Sequence, residues 1–386
     1  MAILGDYISI KHGFAFKGEF IAPEDNGVVL VTPGNFMIGG GFKEDKCKFF
    51  HAEYPDEYIL KPNDLIVTMT DLSKQGDTLG YSAKVPKSKR VYLHNQRIGL
   101  VNVFNPDADK EYLYWFMRSK KYQKTVVSTA SGSTVKHTSP SRICDIEVDL
   151  PPIDIQKRIA AMLSALDSKI ELNQQINDNL QKQAQAIYSE IFNDSSVSYG
   201  SLGEIADVTM GQSPNGNSYN EDGIGEVFYQ GRAEFGFRFP TRRLFTTEPK
   251  RMAEAGDILL SVRAPVGDLN VAYERCCVGR GLSAIHSKDG NSSFLLYTMF
   301  SLKPQLDVFN GEGTVFGSIN RNGLNAMPIS IPDAADIAKF EKVVRPMDEL
   351  IRANYEEICR LQTIRDTLLP KLMSGEIDVS KIKKEC

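Results

Sequence analysis

Two stretches of the chain repeat apolar positions every third or fourth residue, interrupted only at Asn173, Asn177, Asn354 and Arg365. In the first, Ile159, Leu163, Leu166, Ile170, Asn173, Asn177, Leu180, Ala184, Ile187 and Ile191 keep a 4-3-4-3 spacing. In the second, Phe340, Val344, Met347, Ile351, Asn354, Ile358, Leu361, Arg365, Leu368 and Leu372 keep the same spacing. A sustained period of 3.5 marks a coiled-coil seam rather than the broader face of a surface helix. Pro151-Pro152 and Pro332 put non-helical backbone just ahead of each stretch. Asn193-Asp194-Ser195-Ser196 and Ser374-Gly375 read as stops. The pattern predicts long helices over 154–192 and 335–373, each about 58 Å long at 1.5 Å per residue.

The residues ahead of each helix read differently. Short apolar runs such as Asp64–Thr68, Ile98–Phe104 and Asp257–Val262 stand between Gly- and Pro-containing turns, which predicts mixed α/β domains. A short helix is expected near the end of each, over Glu111–Thr125 and Asn291–Asn310. The two halves repeat one another. Asp64-Leu-Ile-Val-Thr68 matches Asp257-Ile-Leu-Leu-Ser261, Gly132-Ser-Thr-Val135 matches Gly-Thr-Val at 313–315, and Leu150-Pro-Pro152 matches Ile331-Pro332. The offset then locks at 181, with Asp167 on Asp348, Ile170 on Ile351 and Asn173 on Asn354. A drifting offset followed by a fixed one means that loops differ in length while one rigid element does not.

The expected fold class is therefore α/β (α+β): two mixed domains separated by two long helices that form an antiparallel coiled coil, with a pseudo-two-fold repeat. The expected boundaries are 1–150, 151–198, 199–331 and 332–386. Asn173 and Asn354 lie at the helix midpoints, where an antiparallel pair would bring them together to set the register.

Composition narrows the function. Of 386 residues, 42% are hydrophobic and 24% charged, a globular balance that excludes a disordered or fibrous chain. The formal net charge is −4. By segment it is +1 for 1–150, −2 for 151–199, −2 for 200–331 and −1 for 332–386. No segment is basic as a whole, so any contact with nucleic acid has to come from local clusters. The six cysteines include no CxxC, which fits free thiols in a reducing cytoplasm. Met1–Asp6 has no secretory character, and no apolar run approaches the ~18 residues of a membrane span.

The chemistry of catalysis is missing from the sequence. It holds no GxxxxGK[ST], HExxH or GxSxG, and none of its five histidines (12, 51, 94, 137, 286) is paired at metal-ligand spacing. The Asn/Asp-Pro-Pro-Tyr/Phe motif that holds a flipped base in amino-methyltransferases is also missing, as is a nuclease carboxylate cluster. The expectation is a chain with no catalytic residue, metal or cofactor of its own.

At this point the sequence resembles a known family, the specificity subunits of type I restriction–modification systems. The resemblance is carried by Leu150-Pro-Pro-Ile-Asp-Ile-Gln-Lys-Arg-Ile-Ala160 leading into Leu166-Asp-Ser-Lys-Ile-Glu-Leu-Asn173. Gly256-Asp-Ile-Leu-Leu-Ser-Val-Arg-Ala-Pro-Val-Gly267, Val278-Gly-Arg-Gly-Leu282, Leu93-His-Asn-Gln-Arg-Ile98 and Leu368-Leu-Pro-Lys-Leu-Met-Ser-Gly-Glu376 add to it. It covers nearly the whole chain, in order. It implies two target recognition domains that each read one half of a split, asymmetric site on double-stranded DNA. It also implies helices that act as a ruler for the spacer and dock two adenine-N6 methyltransferase subunits. Restriction–translocation subunits would join in the full complex, with no membrane partner. One departure stands out. Ile331-Pro-Asp-Ala-Ala-Asp-Ile-Ala-Lys-Phe340 lacks the double proline and the Gln-Lys-Arg-Ile run, so the two docking surfaces are expected to be unequal.

Base edges are read by Arg, Lys, Asn and Gln, and phosphates by Lys, Arg, Ser, Thr and backbone N–H groups. The candidate DNA contacts in the first domain are Lys11, Phe14, Phe16, Lys17, Asp71, Lys74, Asn95, Gln96, Arg97, Thr134, Lys136 and His137. In the second domain they are Gln212, Ser213, Asn217, Tyr219, Gln230, Arg232, Arg263, Arg280, Thr314 and Phe316. Phe14 and Phe16 suit a core better than a stacking contact, and Arg97 and Arg280 equally suit structural hydrogen bonding. Two other functions stay open on the residues alone: a coiled-coil scaffold that binds no DNA, and a stand-alone DNA methyltransferase, which the missing motifs disfavour.

Overall fold

The chain was described from a computed structural model that covers residues 2–45, 47–192, 198–310 and 317–381. The long helices run over Ile153–Phe192 and Ala334–Met373, each within one residue of the predicted start. The second continues through Pro346 and Pro370. All twenty seam positions are buried or half-buried, as a 3.5-residue period requires. The stop proposed at 193–196 lies outside the described residues. At the other, Gly375 takes φ 75° and its N–H reaches the Leu372 carbonyl, 3.3 Å away.

The chain divides into two compact units, residues 1–172 with 357–386, and residues 173–356. Among the described residues, the first unit holds two larger sheets beside two short two-stranded ones. One has four strands in the order Ile8–His12, Ile98–Val103, Leu65–Thr68, Ser82–Lys84. The other has five, in the order Ile21–Ala22, Lys48–Phe50, Val28–Val31, Val91–His94, Ile59–Leu60. Leu65–Thr68 is buried on both faces, which explains its unbroken apolar run. With a period of two, Leu65 and Val67 face a core shared with Trp115, Tyr122, Ile159 and Leu163, while Ile66 faces one shared with Val29, Val31, Tyr92 and Ile98.

The second unit repeats this plan strand for strand. Its four-stranded sheet runs Ala206–Met210, Leu282–Ser287, Ile258–Ser261, Leu269–Val271, and its five-stranded sheet Tyr219–Asn220, Phe245–Thr246, Glu226–Tyr229, Cys276–Val278, Met252–Ala253. Ile258 and Leu260 face one core, Leu259 the other. In each unit one strand pair is parallel, Val91–His94 on Val28–Val31 and Cys277–Val278 on Phe228–Tyr229. The short helices expected near the domain ends are each broken in two: Lys110–Phe116 and Lys120–Ser128, then Ser292–Ser301 and Lys303–Asp307.

Within each unit the two helical stretches run antiparallel. In the first unit Asp167 meets Arg365 at 2.6 Å and Lys169 meets Glu357 at 3.5 Å. In the second, Asn177 meets Asn354, and the rings of Tyr188 and Phe340 lie 5.7 Å apart. The expected register pair needs correction. Asn354 Nδ2 donates to Asn177 Oδ1 at 2.8 Å, one turn beyond the Asn173 named from the sequence, and Asn177 Nδ2 donates to the Ile351 carbonyl. Asn173 is itself buried. Symmetry between the helices fixes which positions correspond. Which turn faces which is set by packing.

Candidate nucleic-acid interface

Most of the candidate side chains gather on loops at one end of the sheets, in the same way in both units. In the first unit the segment after Ile8–His12 folds against the turn between Val91–His94 and Ile98–Val103. Phe14 N–H donates to the His94 carbonyl at 2.8 Å, and Gln96 N–H to the Phe14 carbonyl at 2.9 Å. In the second unit Gln212 N–H donates to the Val278 carbonyl at 2.9 Å, and Arg280 N–H to Ser213 Oγ at 3.2 Å. Gln96 and Arg280 thus occupy matching tips. Both are exposed, as are Arg97 and Gln212. A glycine makes the junction possible in each unit: a Cβ on Gly13 would fall 2.2 Å from the Asn95 carbonyl oxygen, and one on Gly211 2.1 Å from that of Gly279.

A second group joins the first. In the first unit Lys136–His137 pairs with Thr70–Asp71, bringing Asp71, Lys136 and His137 together, with His137 Nδ1 3.2 Å from Thr70 Oγ1. Met69 N–H then bonds the Arg97 carbonyl. Thr134 is exposed in the hairpin closed by Ser131 and His137, and Lys74 is exposed in the loop after Asp71. In the second unit Arg263 bridges to Ser318, and Val262 N–H bonds the Gly281 carbonyl. Gly281 N–H bonds the carbonyl of exposed Gln230, and Arg232 pairs with Asp268. Lys11 and Lys17 are exposed. The Lys11 ammonium donates to the Glu57 carbonyl and sits 4.6 Å from the Tyr58 ring centroid.

Some candidates turn inward. Phe16 is buried against Phe50, with ring centroids 4.9 Å apart, while Phe14 keeps 39% exposure beside Phe16 and Tyr58. Asp71 is 5% exposed. Burial works to raise its pKa, but hydrogen bonds from Thr78 and Ser73 outweigh this and hold the carboxyl below its usual range. It organises its own loop. Asn95 is buried, and its side chain accepts the Arg97 N–H. Tyr219 packs on Phe228 and donates to the Pro214 carbonyl, on a turn where Asn217 is exposed. Thr314 and Phe316 lie outside the described residues. Sequence reasoning missed His94, which is buried with its pKa lowered by that burial, and which closes the turn through Nε2 to the Ile98 carbonyl at 2.8 Å. The motif Leu93–Ile98 carried the signal.

Each unit therefore presents a backbone platform with Gln and Arg side chains at its tips, joined in the first unit by Lys74, Lys136 and Thr134. Those are donor and acceptor groups suited to base edges and phosphates. Among the described residues no group of three His, Cys, Asp or Glu could hold a metal ion, and no helix is long and apolar enough to cross a membrane.

Comparison with known proteins agrees with this plan. A model of the type I restriction modification DNA specificity domain matches twice, over residues 3–182 and 195–359. A Methanocaldococcus jannaschii protein that bears the name of the type I restriction enzyme MjaX specificity subunit is 30% identical over 74% of this chain and 72% of its own length. The HindI specificity subunit of Haemophilus influenzae is 23% identical over 91% of this chain and 94% of its own. Among solved structures, a type I restriction–modification S subunit from M. genitalium shares the fold with a TM-score of 0.56, at 19% identity over 96% of this chain and 94% of that one. With both halves matched by the domain and the relatives covered over 72% and 94% of their own length, this chain belongs to the family of type I restriction–modification specificity subunits.

Proposed function

We propose that the chain reads a bipartite, asymmetric site on double-stranded DNA, one half with each loop platform, and carries no catalytic step itself. On this reading residues 1–150 and 199–331 are the target recognition domains, and the helical segments 151–198 and 332–386 set the spacer. The helices also dock two adenine-N6 methyltransferase subunits, and restriction–translocation subunits join in the full complex. The observation that carries the reading is the pair of matched platforms with unlike tips: Gln96 in one stands where Arg280 stands in the other, and Phe14 stands where Gln212 does. Matching backbones with different side chains suit two different half-sites.

The test is substitution of the second platform alone. Gln212→Ala with Arg280→Ala, in cells that supply the methyltransferase partner, is expected to weaken or relax the second half of the methylated motif while the first half and the spacer stay as they were. Each lost bidentate contact to a base corresponds to about 1–3 kcal/mol of discrimination. Loss of specificity in both halves, or in neither, would count against the assignment.

A further inference from the structure

The two units hold one ionic arrangement that the repeat does not dictate. Asp167 and Asp348 occupy corresponding positions of the two long helices. Each receives a buried arginine from the globular part of its own unit. Arg118 Nη1 lies 2.7 Å from Asp167 Oδ2, and Arg238 Nη1 lies 2.7 Å from Asp348 Oδ1. The arginine side chains are 5% and 4% exposed. Each also sits over an aromatic ring of the domain's own short helix, Arg118 over Trp115 at 4.4 Å and Arg238 over Tyr297 at 5.8 Å. The surroundings extend the network in both. Arg118 bonds Tyr114 Oη and the Gly39 carbonyl, and Asp167 also takes Arg365. Arg238 bonds Gln181 Oε1 and Tyr297 Oη, and Tyr297 Oη donates to Asp348.

The arginines do not correspond. Arg118 follows the helix Lys110–Phe116, whereas Arg238 stands in the segment between the strands Glu226–Tyr229 and Phe245–Thr246. The helix aspartate is the fixed partner, and each domain reaches it with an arginine from a different place in its chain.

Stability alone does not call for such a pair. The domain already packs on its helix through apolar contacts, Trp115 and Tyr112 with Ile159 and Leu163 in one unit, Phe294 and Tyr297 with Tyr188 and Phe340 in the other. Burying an ion pair is costly, and apolar replacements of similar volume often keep or raise stability. What the pair adds is direction. Apolar contact is non-directional, while an arginine held by a carboxylate and stacked on a ring accepts one orientation.

We infer that Arg118–Asp167 and Arg238–Asp348 are positioning pairs that lock each recognition domain at one angle on its helix, and so restrict the enzyme complex to one spacer length. The inference rests on the function proposed above.

Two apolar double variants test it separately: Arg118→Met with Asp167→Leu, and Arg238→Met with Asp348→Leu. Each is expressed as the full chain with its methyltransferase partner, and the adenine methylome is read. The expected result is that both half-sites keep their bases while sites with spacers one base pair shorter or longer become methylated, to at least about a tenth of the parental level. An unchanged single spacer would overturn the inference, as would altered half-site bases with the spacer kept. Thermal unfolding of each variant is measured alongside, and failure of both to fold would assign the pairs to stability and overturn it as well. If the parent chain itself gives no bipartite motif, it is the proposed function that fails. A parent motif with variants that behave like it sinks only the positioning pairs.

Discussion

Phe340→Ala is expected to destabilise the second unit by about 3–5 kcal/mol, the range for truncating a buried aromatic residue. Phe340 is 0% exposed and stands among four other rings. Tyr188 and Phe192 come from the first long helix, at 5.7 and 5.4 Å, and Tyr297 from the short helix Ser292–Ser301, at 5.9 Å. Phe294 completes the group through Tyr188 and Phe192. Truncation removes the transfer energy of the ring and leaves a cavity walled by side chains from three helices, which cannot all move in to fill it. The effect is measured by denaturant unfolding with hydrogen exchange at the amides of Ser292–Ser301, because a chain of two units need not unfold in one step. Ile38→Ala provides the contrast. Ile38 is 74% exposed, and its loss is expected to stay within about 0.5 kcal/mol. A Phe340→Ala effect as small as that would contradict the packing described.

Lengthening the coil is expected to move the half-sites apart without changing their bases. One added heptad in each long helix, beside Asn177 in the first and Asn354 in the second, keeps the 3.5-residue seam in phase. It adds about 10 Å at 1.5 Å per residue, equal to about three base pairs when ten span 34–36 Å. The spacer is expected to lengthen by one to about three base pairs, the smaller values arising because the duplex rotates as it advances and the coil does so far less. A methylome with changed half-sites and an unchanged spacer would contradict the ruler.

The parts of the molecule that were legible in the sequence are those governed by local periodicity. The seam residues and Pro151-Pro152 placed both long helices almost to the residue. The run Asp64–Thr68 and its match Asp257–Ser261 placed the central strands, because a strand buried on both faces has to be apolar throughout. What needed the structure is tertiary. Asn354 was expected to meet Asn173, yet it meets Asn177, since a one-turn shift leaves the seam pattern unchanged. Asp71 and Asn95 looked like contacts because polar residues beside glycines suit a reading loop. They are spent inside their own turns, a use of Asp and Asn with the same signature in sequence. Gln96, Gln212 and Arg280 stay exposed at the tips. The repeat pointed to Asp167 and Asp348 but not to Arg118 and Arg238, which come from unmatched positions and could not emerge from comparing the halves.

On the proposed reading, the net charge of −4 makes the chain's own phosphate contacts few and local and leaves most of the grip on DNA to the partner subunits. The most direct test of the account is the adenine methylome of cells carrying this chain with its methyltransferase partner, set against the same cells without it. The account predicts one motif that depends on this chain, with two unlike specified halves and an unspecified gap of fixed length. A continuous motif, or methylation unchanged when the chain is removed, would contradict it.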